Sequence, residues 1–212
     1  MPARAPSDVP RAAELFALDA ATGALRAAGG QRVIAFSQPM IHGLHAALAE
    51  RLGANAGDAI YRVGYEWALQ DMLRLHLALK DEFGGKSFDF WQMETKFVLG
   101  RWWAPLDAAG WGTVAFDWSA LARGLVFVEL RHSLVAAALP GAAQPVCHLY
   151  AGLFAGALSF FERAERHGVE VQCRAQGHET CRFVIGPGPE IDSAEAWRKQ
   201  GVAAAEIIRR LS

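Results

Sequence analysis

The stretch Val169–Gly186, VEVQCRAQGHETCRFVIG, decides how this chain is read. Two short runs rich in β-branched and aromatic residues, about 168–174 and 180–185, flank the glycine-containing turn AQGHE. That pattern predicts an antiparallel hairpin with one thiol on each arm, Cys173 and Cys181. The third cysteine, Cys147, opens a helix predicted just upstream, where a helix N-terminus favours the thiolate. Three cysteines cannot all pair within one chain, and MPARAPSDVPRAAELF has no apolar signal region. The expectation is a soluble, cytoplasmic protein whose cysteines serve as thiols or metal ligands.

Around the hairpin the elements follow from local pattern. Upstream, a helix over about 147–165 carries Gly152 and Gly156 four residues apart. Glycine costs about 1 kcal/mol inside a helix, so the pair implies close approach by another backbone or a ligand, or tight packing on a sheet. GTVAFDWS and GLVFVELRHS read as strands joined by a short link, hence as neighbours in a hairpin. A helical stretch over 88–108 is aromatic-rich, with Pro105 disturbing its end. DAIYRVGYEWALQDMLRLHLALK has the strongest helical period, with Tyr61, Tyr65, Ala68, Met72, Leu75 and Leu79 on one face. Ile60, Val63 and Trp67 add a second apolar face, so this helix is expected to wet only one polar edge. Before it come strands at about 23–27 and 32–36, then a helix capped by Ser37 and running to Leu52. Downstream, GPGPE reads as a hard stop, and Asp192 with Glu195 as a capping box for one last helix. Its expected apolar stripe is Trp197, Gly201, Ala204, Ala205, Ile208 and Leu211. Residues 1–11 form a loose tail, 12–190 one domain and 191–212 a C-terminal helix. Short links between strands favour α+β: an antiparallel sheet packed against several helices.

Composition narrows function. Of 212 residues, 52% are hydrophobic and 20% charged, enough apolar material for a sizeable core. A net charge of −1 leaves no basic surface for general nucleic-acid binding. No window reaches the roughly 20 apolar residues of a membrane helix; HSLVAAALPGAAQPV is cut by Pro140 and Pro145. Trp91, Trp102, Trp103, Trp111 and Trp118 fall close together and fit either an ordinary core or the wall of an apolar pocket. GWGTVA matches a dinucleotide fingerprint in letters only, because helix precedes strand there. HGLH puts His42 and His45 on neighbouring turns and reads as a partly exposed polar edge. No H-E-x-x-H, G-x-S-x-G or P-loop motif occurs, and no nucleophile–base pair can be assembled.

Zinc is the natural client for thiolates in a reducing compartment, and it takes four Cys, His or carboxylate ligands. Glu170, His178, His148 and His167 are the candidates for the fourth, and three unrelated buried thiols are the alternative. Glu170 and Cys173 are three apart, so in an unbroken strand they face opposite ways. Only a bulge, a turn or a late strand start would let them converge, and His178 in the turn is geometrically easier.

Residues 145–190, PVCHLYAGLFAGALSFFERAERHGVEVQCRAQGHETCRFVIGPGPE, resemble the 4-vinyl-reductase-type domain. The pattern is Cys, a glycine-bearing helix, Glu-x-x-Cys, a glycine turn, then Cys before an aromatic–aliphatic strand. A looser likeness to the sensor domains of phenol- and toluene-responsive activators spans about 14–190. The resemblance implies a structural zinc held by Cys147, Glu170, Cys173 and Cys181, clamping the glycine-bearing helix to the C-terminal hairpin. It also implies a small apolar or aromatic ligand, for which Trp91, Trp102, Trp103, Trp111, Phe127 and His132 are the candidate contacts. Three functions follow from the likeness. The first is a non-enzymatic, homodimeric sensor or carrier, which must pass its signal to a partner because no ATPase or DNA-binding module follows. The second is a 4-vinyl reductase or pigment-binding accessory protein of tetrapyrrole (bacteriochlorophyll) biosynthesis. The third is an assembly subunit like the small TRAPP tethering proteins, favoured by an uncovered apolar stripe on the last helix.

Overall fold

The structure, a computed structural model, describes residues 15–27, 30–84 and 88–212. The tail expected at 1–11 lies outside them. Three short strands, β1 (Phe16–Asp19), β2 (Ala24–Ala27) and β3 (Arg32–Val33), form a small antiparallel sheet. Helices α1 (Gln38–Leu52), α2 (Ala56–Glu82) and α3 (Thr95–Ala108) follow. The second sheet has the order β4-β5-β7-β6, all antiparallel: β4 (Thr113–Asp117), β5 (Val126–Arg131), β6 (His167–Gln172) and β7 (Cys181–Gly186). Between β5 and β6 run α4 (Leu134–Ala138) and α5 (His148–Glu162); α6 (Gly188–Lys199) and α7 (Ala204–Leu211) end the chain. The α+β class and the antiparallel hairpin expected from sequence are both present.

The four-stranded sheet is covered on both faces. Val126, Val128, Leu130, Cys181, Phe183 and Ile185 point into the main core with α2, α3 and α5. The alternate residues Phe127 and Val184, joined by Val171, point into a second core under α6 and α7. Strand alternation makes this division inevitable once both faces are dry.

The seam between α2 and α5 sets the main core. A Cβ added at Gly152 would lie 2.0 Å from the Tyr61 carbonyl oxygen, and one at Gly156 2.4 Å from that of Tyr65. From the other side, a Cβ on Gly64 would lie 2.1 Å from the Leu149 carbonyl oxygen. The close approach implied by Gly152 and Gly156 is therefore helix backbone on helix backbone, not helix on sheet.

Several local expectations are corrected. Val63, Leu73 and Leu77 of α2 are exposed, so this helix presents an apolar stripe to the outside as well as a buried one. The 88–108 stretch is a single 3₁₀ turn at Phe90–Gln92 followed by α3, and Pro105 sits inside the last turn of α3. α4 was not expected; Ser133 Oγ caps it by accepting from the Ala136 N–H at 3.1 Å. GPGPE ends β7 at Gly186, as expected, and also begins the next helix, with Pro187 at the N-cap position of α6 and Asp192 inside it. Proline in the first turn loses no hydrogen bond, which is why the segment tolerates it. The last helix is two helices, broken at Gly201 with φ +79°. The break shifts the buried face of α7 to Ala204, Ile207 and Leu211, all packed on the sheet.

Candidate metal centre and aromatic core

Cys173 and Cys181 lie on the two arms of the β6–β7 hairpin, and Cys147 is the residue that caps α5. The thiol of Cys147 stands 3.7 Å from that of Cys181 and 4.0 Å from that of Cys173. A disulfide needs about 2.05 Å, so all three are free thiols. Glu170 joins them: one ligand atom from each of Cys147, Glu170, Cys173 and Cys181 falls within 4.8 Å of every other. All four residues are buried, and together they could hold a metal ion. His178, the alternative fourth ligand, is exposed in the turn.

The strand objection to Glu170 is answered by a β-bulge. Glu170 pairs with Phe183 and Gln172 with Arg182, so β6 spends two steps where β7 spends one. The extra residue is Val171, which turns into the second core. With Val171 and Gln172 both off the inner face, Cys173 comes back to the side of Glu170.

The electrostatics of this cluster ask for a cation. Glu170 Oε2 accepts from the Cys147 N–H at 2.9 Å, but Oε1 is buried without a partner. Leaving a buried acceptor unmatched costs about 1–3 kcal/mol, more if it is charged. Burial pushes both the Cys147 thiol and the Glu170 carboxyl well above their ordinary ranges. The remaining sulfur lone pairs meet short polar neighbours: the Arg174 N–H donates to Cys181 Sγ at 3.3 Å, and Ser133 Oγ lies 3.4 Å from Cys147 Sγ.

The aromatic side chains form a connected group one turn along α5. Trp102 and Trp103 are buried and stack edge-on at 5.5 Å; Phe154 lies 5.2 Å from Trp103 and 5.3 Å from Phe183. Trp111 lies 6.1 Å from Tyr150 and 5.0 Å from Trp67. Trp103 Nε1 donates to the Gly112 carbonyl at 2.9 Å, and the Tyr150 hydroxyl donates to the Trp111 carbonyl at 2.6 Å. Trp102 Nε1 is buried with no acceptor.

Of the six residues expected to contact a ligand, Trp102, Trp103 and Trp111 are thus brought together. Trp91 is half-exposed at the rim, against the ring of His76 and under the Arg163 guanidinium. Phe127 lies on the opposite face of the sheet, in the core under α6 and α7, because its even-numbered neighbours take the inner face. His132 is exposed at the exit of β5, with a left-handed φ of 57°. Sequence reasoning missed Tyr150, Phe154, Phe183 and His76. Tyr150 and Phe154 had a signal, since they sit four apart on the glycine-bearing helix; the others join the group only through tertiary packing.

A helix and a hairpin that bring four buried donors together beside an aromatic core define a class of small α+β domain. Residues 126–187 match the family model of the V4R domain, a span that contains all four donors and agrees with the resemblance read over 145–190. The chain is similar in structure to the phenol-responsive sensory domain of the transcription activator PoxR, solved with phenol. That likeness has 21% identity and a TM-score of 0.65 and covers 87% of this chain and 90% of that one. A vinyl-4-reductase family protein from Methanocaldococcus jannaschii is 16% identical, with a TM-score of 0.47 over 72% of this chain and 82% of that one. A trafficking protein particle complex subunit 3 from Naegleria fowleri, covalently bound to palmitic acid, is 9% identical. Its TM-score is 0.46 over 70% and 93%. No curated protein is significantly similar to the chain. No helix among the described residues is long and apolar enough to cross a membrane.

Proposed function

We propose that this chain is a zinc-clamped domain that binds a small apolar or aromatic molecule among its aromatic side chains, as a sensor or carrier and not as an enzyme. The buried, partnerless indole N–H of Trp102 carries the reading. An apolar pocket with one or two polar anchors is what a small aromatic ligand needs, and a hydroxyl or carbonyl on that ligand would supply the missing acceptor. The V4R match and the likeness to a phenol-sensing domain support the same role.

Zinc fits the donor set. A tetrahedral ion with metal–sulfur bonds of about 2.3 Å sets its sulfurs about 3.8 Å apart, against the 3.7 and 4.0 Å present here. Cys147, Glu170, Cys173 and Cys181 would hold it, and its charge would satisfy Glu170 Oε1. Four protein ligands leave no open position for a catalytic water, so the ion's contribution is structural.

The test is tryptophan fluorescence with phenol and, separately, a protochlorophyllide-type pigment. Saturable quenching by phenol, weakened about tenfold in a Trp102→Phe protein that still melts cooperatively, is the expected result, since tenfold is about 1.4 kcal/mol. Quenching by the pigment alone would favour the tetrapyrrole reading. No saturable response to either would defeat the binding role. The assembly-subunit reading lacks its expected feature, because the apolar stripe of α7 is packed on the sheet.

The same domain is proposed to work as a homodimer. Leu18 and Ile34 are 67% and 63% exposed, and Met40 and Leu44 of α1 and Val63 of α2 are exposed as well. Association would cover such apolar side chains, and a twofold pairing is the commonest closure. Light scattering is expected to give twice the chain mass, and Leu18→Glu with Ile34→Glu is expected to halve it. A wild-type mass of one chain would end the dimer reading.

A further inference from the structure

His42 and His45, the HGLH pair, take no part in the function above, yet the fold gives them a common setting. With His148 they line a surface pocket of about 330 Å³. Ala46, Ala49, Ile60 and Leu139 are among its apolar walls. Pro145, Val146 and His148, the residues that flank Cys147, also line it.

That short segment has two sides. One is the pocket. On the other, Cys147 belongs to the buried donor cluster, and its N–H donates to Glu170 Oε2 at 2.9 Å. A single irregular stretch of chain therefore separates three imidazoles from four donors that are all 5% exposed or less. For an ion bound so deeply to exchange in the folded chain, it needs a path.

The imidazoles suit such a path. Burial, with His148 and His42 nearby, pushes His45 below the usual imidazole range, which keeps it in the neutral, ligating form near neutral pH. The three rings do not meet at one point: His42 Nδ1 lies 3.4 Å from the Ala138 carbonyl oxygen, and the four-donor cluster is the one convergent group among the described residues. A resident ion would demand convergence. A passing one needs successive, weak, neutral nitrogen ligands.

We propose that the pocket of His42, His45 and His148 is the port through which a divalent ion reaches and leaves the buried cluster. This rests on the metal-centre reading. On this reading His42, His45 and His148 would offer the ion successive nitrogens next to Cys147, across the Pro145–His148 segment. Protons leave the thiols as the ion binds.

The experiment is metal exchange in the full, metal-loaded chain. Cadmium is added in excess and its thiolate charge-transfer absorption followed in time, with elemental analysis at the end. His42→Gln combined with His45→Gln is the variant; His42 is exposed, His45 is half-buried in the pocket wall, and neither belongs to the apolar core. His178→Gln, an exposed histidine outside this pocket, is the control. The double variant is expected to exchange at least about tenfold more slowly, the scale on which residues supporting a metal site act. Its final stoichiometry and melting temperature should stay those of the parent. Exchange as fast as in the parent overturns the port alone. A parent that carries no stoichiometric metal and takes up none overturns the port together with the metal centre.

Discussion

Cys181→Ser is expected to purify without metal and to melt at least about 15 °C below the parent. The chain loses one of four donors, and the other three remain buried without an ion to balance them. Structural zinc sites contribute on the order of 10 kcal/mol or more of apparent binding free energy, and for a chain of this size each kcal/mol is worth roughly 2–4 °C. Serine keeps the shape but binds zinc poorly, so the effect reads out ligation and not packing. Glu170→Ala should behave the same way, while His178→Ala should keep both the metal and the melting temperature, since His178 lies exposed in the turn. Elemental analysis and a thermal melt on the same samples decide it. A Cys181→Ser protein with one equivalent of metal and an unchanged melt would show that no ion sits among these thiols.

The second large effect concerns Gly152. Alanine there would bring a methyl group to 2.0 Å from the Tyr61 carbonyl oxygen, with the Tyr65 nitrogen only 2.9 Å away. Both obstacles are backbone, so no side chain can swing clear and the two helices must part. Overpacking of a core costs about 1–3 kcal/mol, and this contact belongs at the upper end. Gly152→Ala is therefore expected to lose roughly 3 kcal/mol against the about 1 kcal/mol that alanine gains from helix propensity. Gly100→Ala is the opposite case. Gly100 lies inside α3, exposed, with nothing within 4 Å of an added Cβ, so that substitution should stabilise. Denaturant melts of the two variants should move in opposite directions. Equal shifts would mean that propensity, not the seam, governs Gly152.

Which parts of this could be read from the chain follows from what is local. The hairpin was legible because alternation and a glycine turn lie within eighteen residues, Val169–Gly186. All four clustered donors were named in advance, though the choice of Glu170 came through family likeness, since pleat parity argued against it and a bulge leaves no mark in sequence. Gly152 and Gly156 announced a close approach because they interrupt a good helix. Gly64, their counterpart, stayed silent because it sits within the strongest helical period of the chain. Phe127 lies apart from the other candidates, and sequence does not tell its side because a strand dry on both faces loses the alternation that assigns one. The split into α6 and α7 is hidden for a related reason: in the sequence Gly201 fits a stripe as a small residue, whereas its positive φ makes it the break.

Val171 has one more implication. It adds a step to β6 and so lets two donors three apart share a side; without it, Glu170 and Cys173 would be two apart in a regular pleat and would share that side anyway. Two spellings, Glu-x-x-Cys with the insertion and Glu-x-Cys without, thus encode one set of donors. A search for kindred domains that fixes the three-residue interval would pass over every homologue written the shorter way.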